Sequence, residues 1–96
     1  MTFDFHPEAE AELTEAMGFY DEVQPSLGEE FALEVFAAIT SILSYPNAWP
    51  VLEADIRRCL VHRFPYGILY SVESDRVHVL AVMHLHRRPG CWKGKR

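Results

Sequence analysis

The first quarter of the chain changes from an alternating to a helical pattern at a proline. Residues 2–6 alternate polar and apolar side chains, which predicts a short strand with Phe3 and Phe5 facing the core. Pro7 suits the first turn of a helix, where its missing N–H is not needed. Apolar side chains then recur on one helical face at Ala9, Leu13, Ala16, Met17 and Tyr20. A separate acidic face, which we expect to be solvated, carries Glu8, Glu12 and Glu15.

A second helix has recognisable ends. Pro25 interrupts the chain, and Ser26 and Glu29 have the spacing of a capping box, in which each side chain satisfies the backbone N–H of the other. Tyr45-Pro46 is expected to end the helix, because the residue before a proline disfavours the helical conformation. We expect residues 47–50 to form a connecting loop.

This second helix is apolar almost all round. One stripe contains Phe31, Val35, Ala38, Ile39 and Ile42, and a second contains Ala32, Phe36 and Leu43. No charged residue lies between Glu34 and Glu53. A helix of this kind is either buried centrally or covered by a partner. Phe36 and Leu43 are therefore candidates for the core or for a docking groove.

The last forty residues follow a period of two. Strands are predicted at 56–61, 66–72 and from 76 to 84 or beyond, with a polar turn at 73–76 that makes a hairpin. Ile68, Tyr70 and Val72 share one face of the middle strand. Strict alternation places His84 on the face of the last strand opposite to Val77. The order β-α-α-β-β-β predicts an α+β fold, with a helical hairpin packed on a small twisted antiparallel sheet.

Composition narrows the class of protein. The 96 residues, of which 49% are hydrophobic, suit a single domain over residues 1–96. No apolar run approaches the roughly 20 residues that span a bilayer, so we expect no membrane partner. The start of the chain lacks the basic residues of a signal peptide, and two cysteines are too few for a disulfide scaffold. These observations predict a cytoplasmic protein.

The net charge of −5 conceals two electrically opposite halves. Residues 1–55 carry twelve Asp and Glu and no Lys or Arg, whereas residues 56–96 carry nine Lys and Arg against two acids. This asymmetry gives the chain a surface suited to an anionic partner. Alternatively, the acidic half folds against the basic half and neutralises it.

The chemically richest segment is 84–88, which reads His-Leu-His-Arg-Arg and is followed by Trp92. His84 and His86 are two residues apart and therefore share a strand face. Internal cleavage of RNA needs a base, an acid and cations, and histidines can supply the first two near neutral pH. Guanidinium groups fit phosphate oxygens, and the candidates are Arg57, Arg58, Arg63, Arg87 and Arg88. Trp92 has a ring that can stack on an unpaired base.

Other interpretations of the same segment stay open. The two histidines can simply end a strand in water, or they can join Cys91 and a fourth ligand at a metal site, although that spacing gives weak support. Trp92 can equally cover the core. The sequence contains no phosphate-binding glycine loop, Walker motif or paired-cysteine zinc motif, so we expect no cofactor and no metal.

The order of several short motifs resembles the RelE/ParE superfamily of bacterial type II toxins over nearly the whole chain. The motifs are residues 5–9 (Phe-His-Pro-Glu-Ala), 27–31 (Leu-Gly-Glu-Glu-Phe), 45–46, 57–58, 63–70 (Arg-Phe-Pro-Tyr-Gly-Ile-Leu-Tyr), 84–89 and Trp92. The resemblance implies a toxin that a cognate antitoxin binds and neutralises. It also implies a helical hairpin against a twisted sheet, in agreement with the pattern above.

The resemblance favours the ParE-like branch, whose members inhibit DNA gyrase by binding. RelE-like ribosome-dependent mRNA endoribonucleases tend to carry an arginine after the tyrosine of the second hairpin strand, where this chain has Gly67 after Tyr66. If the chain is instead a nuclease acting on ribosome-bound mRNA, the expected catalytic residues are His84, His86 and Arg87. Expected target- or RNA-binding residues are Arg57, Arg58, Arg63, Arg88 and Trp92. The antitoxin is expected to contact Phe36 and Leu43.

Overall fold

The chain folds as an α+β structure in which two helices cover one face of a five-stranded sheet. The computed structural model of the protein describes residues 1–86. Its elements are β1 (Thr2–Phe5), α1 (Pro7–Val23), α2 (Leu27–Ser44), β2 (Val51–Glu53), β3 (Ile56–Leu60), β4 (Tyr66–Glu73) and β5 (Arg76–His84). The α+β class and the predicted helical hairpin are confirmed. None of the described helices is both long and apolar enough to cross a membrane.

The sheet is mixed, and the prediction of a fully antiparallel sheet is wrong at β1. The strand order is β1-β5-β4-β3-β2, and β1 pairs with β5 in parallel, with Thr2 opposite Arg76 and Phe5 opposite Val79. The other described pairs are antiparallel. The sequence analysis also missed β2, because this strand has only three residues and all of them are exposed, so it lacks a hydrophobic pattern.

The two helices begin in different ways. At α1, Nδ1 of His6 accepts a hydrogen bond from the Glu8 N–H at 3.1 Å, and Pro7 occupies the first turn as predicted. The capping box predicted at the start of α2 is wrong, because Ser26 has a left-handed backbone (φ 70°) and its side chain makes no capping hydrogen bond. Instead Oδ1 of Asp21, near the end of α1, accepts the Gly28 N–H at 2.8 Å. The two helices are thus joined directly by a side chain of α1.

The main core lies between the helices and the sheet. Its fully buried members include Phe31, Val35, Ile39 and Ile42 from α2, which confirms the first apolar stripe of that helix. Ile68 and Tyr70 of β4 face this core, and Val72 packs against it, also as predicted. A second buried cluster, on the sheet face away from the helices, contains Ile56, Leu69, Leu80, Ala81 and Met83.

A β-bulge in β5 changes which side chains face the helices. Leu69 pairs with Ala81 but Tyr70 pairs with Val79, so Leu80 is an extra residue without a partner in the register. Side-chain alternation therefore reverses after Leu80. Val79 and Val82 both belong to the helix-facing core, and the prediction of strict alternation along this strand is wrong beyond the bulge.

Candidate functional site

The bulge places His84 beside the helices rather than on the exposed face of the sheet. His84 is paired with Tyr66 across β4 and β5, and their ring centroids lie 5.2 Å apart. Both side chains border a groove of about 350 Å³ between α1 and the sheet. We call this the α1 groove, and its principal lining residues are Glu12, Glu15, Phe19, Tyr20, Tyr66 and His84.

The predicted association of His84 with His86 is confirmed. Their ring centroids are 5.2 Å apart, and the His86 backbone N–H donates to Nδ1 of His84 at 3.1 Å. Since Nδ1 accepts this hydrogen bond, the neutral ring of His84 carries its proton on Nε2. In this arrangement Nε2 of His84 is a hydrogen-bond donor and not a proton acceptor. The ring is therefore not prepared to act as a general base.

The hairpin arginines do not gather around these histidines. Arg57 lies on the helix-facing side of β3, where its guanidinium donates to the backbone oxygens of Trp49 at 2.6 Å and Asn47 at 3.3 Å. Arg58, the next residue, therefore points to the opposite face of the sheet. Adjacent strand residues alternate, so the two arginines do not share a face.

Arg63 is held by the second helix. It has a left-handed backbone (φ 74°), and its guanidinium lies 3.0 Å from a carboxylate oxygen of Glu30 and 3.8 Å from one of Glu34. It also lies over the ring of Phe64, 5.4 Å from the centroid. These contacts fasten the loop between β3 and β4 to α2 and leave the guanidinium partly exposed.

Gly67 occupies the strand position at which the nuclease branch tends to carry an arginine. A Cβ atom added there would approach Cγ and Cδ of Arg58 to 3.3 Å and a methyl carbon of Leu85 to 3.4 Å. A larger residue therefore fits only if the Arg58 side chain gives way by a few tenths of an ångström. In this chain the space beside β4 is filled by the Arg58 stem.

The predicted antitoxin contacts differ in exposure. Phe36 on α2 is 41% exposed, and its ring centroid lies 6.4 Å from that of Phe3 and 6.2 Å from that of Phe5. We call these three residues, two of which belong to the edge strand β1, the aromatic patch. Leu43, by contrast, is half-buried and packs against the main core.

Several predicted site residues lie outside the described residues. These are Arg87, Arg88 and Trp92, together with Cys91 of the metal-site alternative. Among residues 1–86, no group of three or more His, Cys, Asp and Glu is arranged to hold a metal ion.

Glu12 has a structural contact that the sequence analysis missed. The acidic face of α1 was expected to be solvated, but Glu12 is half-buried and its carboxylate accepts the Val82 N–H at 3.0 Å. A signal was present, because Glu12 lies four and eight residues before Ala16 and Tyr20 of the apolar stripe. Burial raises the pKa of the nearby Tyr20 hydroxyl, and Tyr66 raises it further.

Comparisons with known proteins agree with this fold. The chain matches the family model described as "ParE toxin of type II toxin-antitoxin system, parDE" over residues 3–89. Among solved structures it is similar to one titled "Chromosomal ParDE TA system from P. aeruginosa", with a TM-score of 0.77 and 15% identity, over 88% of this chain and 95% of that chain. No curated protein matches the sequence significantly. Since the family model covers most of its length, the chain belongs to the ParE toxin family of type II toxin–antitoxin systems.

Proposed function

We propose that this ParE-family toxin acts by binding and inhibiting an essential enzyme, with DNA gyrase as the candidate, and does not cleave RNA. The observation that carries the proposal is the dispersal of the cationic side chains. Arg57 and Arg58 point to opposite faces of the sheet, and Arg63 is engaged by carboxylates of α2. An RNA-cleaving centre requires an acid, a base and cations around one phosphate. The described residues do not assemble such a set.

The histidine pair also favours binding over catalysis. A nuclease base must accept the proton of a 2′-hydroxyl, whereas the His84 ring uses Nδ1 to accept the His86 N–H. The α1 groove that His84 lines is also lined by Glu12 and Glu15, whose carboxylates repel phosphate. The proximity of the two rings is the one observation in favour of the nuclease alternative, in which His84, His86 and Arg87 act on ribosome-bound mRNA.

The aromatic patch is a suitable surface for a cognate antitoxin to bind when it neutralises the toxin. Phe3 and Phe36 are large and partly exposed. Phe3 belongs to β1, which is an edge of the sheet, and the Phe36 ring lies beside it. Contiguous exposed apolar surface beside an edge strand is typical of an interaction site and promotes self-association when uncovered. An antitoxin segment that folds on binding would cover it. The isolated chain is therefore expected to be poorly soluble, and its solubility is expected to increase when it is co-expressed with the antitoxin.

Two assays separate the candidate activities. The purified, refolded chain is expected to inhibit supercoiling of relaxed plasmid by gyrase, and its induction in cells is expected to arrest growth without new RNA 5′ ends. The matched variant is His86→Ala combined with Arg87→Ala, which should retain toxicity. If the unchanged chain produces new 5′ ends inside translated codons and the double variant does not, the nuclease alternative is correct and the proposal is wrong. Unimpaired supercoiling by gyrase at a large excess of folded chain would remove gyrase as the target.

A further inference from the structure

The solvent side of α2 carries no charge over most of its length. Four exposed residues follow one another there at helical spacing: Leu33, Ala37, Thr40 and Ser44. We call them the α2 face, which extends over about three turns. No charged residue lies between Glu34 and Glu53. An exposed helix face ordinarily carries charged side chains, so a face without them is typical of a surface that a partner covers.

The polar members of the α2 face need no water to satisfy their hydroxyl hydrogens. The Thr40 hydroxyl donates to the Phe36 backbone oxygen at 2.9 Å, and the Ser44 hydroxyl donates to the Thr40 backbone oxygen at 3.2 Å. Burial of a polar group is costly when its hydrogen bond is lost. The α2 face can therefore be covered without leaving these hydroxyl donors unpaired. Apart from Leu33 its side chains are small, so another helix can approach closely.

We propose that the α2 face binds the α2 face of a second copy of this chain, with the two helices antiparallel about a two-fold axis between Ala37 and Thr40. In a two-fold contact the same surface is used by both copies. Leu33 therefore meets Ser44 of the second copy, and Ala37 meets Thr40. This inference goes beyond the proposed function and does not depend on which target the toxin inhibits.

Charge favours a second copy as the occupant. The solvent side of α1 carries four exposed glutamates, Glu8, Glu10, Glu15 and Glu22. A two-fold contact through α1 would bring these carboxylates together, whereas a contact through the α2 face brings none together. A different soluble partner would be selected by charges opposite to those of the surface it covers, and the α2 face has none. A symmetric contact obtains its register from the two-fold axis instead.

The ends of the two helices are also complementary. In the antiparallel arrangement the first turn of α2 lies beside the last turn of α2 in the second copy. Arg63 is held at the first turn by Glu30, with its guanidinium partly exposed, and the last turn contains no basic residue. The carbonyl groups that end a helix carry a partial negative charge and attract cations. Each Arg63 therefore faces a favourable charge in the other copy.

Sedimentation velocity over a range of concentrations tests the proposal, because it separates a dimer from larger aggregates. A contact of three helical turns is small, so we expect a reversible dimer with a dissociation constant of about 10 μM. Leu33→Asp should weaken dimerisation at least about tenfold, because it places a carboxylate without a counter-charge against Ser44 of the second copy. Val23→Asp is the matched control, since Val23 lies on α1 and is as exposed as Leu33, at 63% and 64%.

Cross-linking locates the contact. Thr40→Cys lies beside the proposed axis and should be joined into a dimer by a short bis-maleimide, in a chain that also carries Cys91→Ser. Cys59 is buried and can be retained. Thr14→Cys is the matched control, because Thr14 is exposed on α1 and its hydroxyl donates to the Glu10 backbone oxygen at 3.1 Å, as that of Thr40 does within α2.

Three results would overturn the proposal. The first is a chain that remains monomeric at ten times the expected dissociation constant. The second is equal dimerisation of Leu33→Asp and Val23→Asp, or equal cross-linking of Thr40→Cys and Thr14→Cys, which would assign the contact to another surface. The third is a loss of antitoxin binding in Leu33→Asp with unchanged self-association, which would assign the α2 face to the antitoxin. Circular dichroism establishes that each variant is folded before the comparison.

Discussion

Replacing Gly28 by alanine should destabilise the protein, because α1 and α2 approach each other closely there. A Cβ atom at this position would lie 2.3 Å from the Met17 carbonyl oxygen and 2.8 Å from Oδ1 of Asp21. The start of α2 would have to move by about 1 Å to restore ordinary contact distances near 3.4 Å. That movement also lengthens the 2.8 Å hydrogen bond from the Gly28 N–H to Asp21.

The expected loss of stability combines three terms. Overpacking of this size costs about 1–3 kcal/mol, and weakening a hydrogen bond to a carboxylate costs about 1.5 kcal/mol more. The higher helix propensity of alanine offsets about 1 kcal/mol. The net expectation is a loss of about 1.5–3.5 kcal/mol in the free energy of unfolding, which is roughly 7–17 °C in Tm for a chain of this length.

Gly18→Ala is the matched control for this prediction. Gly18 lies inside α1, and an added Cβ there meets nothing within 4 Å. This substitution should raise stability by about 0.5–1 kcal/mol through helix propensity alone. Urea and thermal unfolding followed by far-UV circular dichroism measure both variants. If Gly28→Ala is as stable as Gly18→Ala, the close approach at Gly28 does not constrain the helix pair and the reasoning is refuted.

Three further predictions concern buried and exposed groups. Tyr70→Phe removes a buried hydroxyl that donates to the Pro46 oxygen at 2.8 Å, and should lower the urea-derived free energy of unfolding by about 1 kcal/mol. Burial raises the pKa of the Cys59 thiol from 9.0 to about 11. As the pH rises from 9 to 11, the unfolded chain loses the Cys59 proton before the folded chain does, so the free energy of unfolding should fall. The fall should be smaller in Cys59→Ala. An equal fall in the unchanged protein and in Cys59→Ala would contradict the assignment of this effect to Cys59. Phe36→Asp should reduce co-purification with the antitoxin, whereas Leu33→Asp, also exposed on α2, should not; equal yields would exclude the aromatic patch.

Sequence patterns predict the elements of this fold better than the relations between them. The stripe from Phe31 to Ile42 and the alternation of β4 follow from side-chain periods that burial enforces, so both were recoverable. The parallel pairing of β1 could not be recovered, because a four-residue strand has no sequence pattern that shows whether it runs parallel or antiparallel to its neighbour. The start of α2 after Ser26 was predicted correctly, but its capping contact was not. Ser26 and Glu29 have capping-box spacing, whereas Asp21, seven residues before Gly28, provides the actual contact.

Only the local part of the candidate site was predictable, because the sequence shows the spacing of nearby residues but not the register between strands. That His84 and His86 lie together follows from a separation of two residues and needs no knowledge of the fold. The side of the sheet on which His84 lies depends on one extra residue, Leu80, which looks like any other apolar strand residue in the sequence. The role of Glu12 was equally hidden, because its partner is a backbone N–H next to that bulge.

The pairing of β1 with β5 has a consequence for synthesis of the chain. The partner of β1 is the last described strand, 74 residues later at Thr2 and Arg76. Val77, Val79 and Val82 complete the core from the same strand. A nascent or prematurely terminated chain without β5 therefore lacks both the neighbour of β1 and one wall of the core. Toxicity should appear only in chains translated through β5, and frameshifts anywhere upstream of β5 should be harmless to the cell.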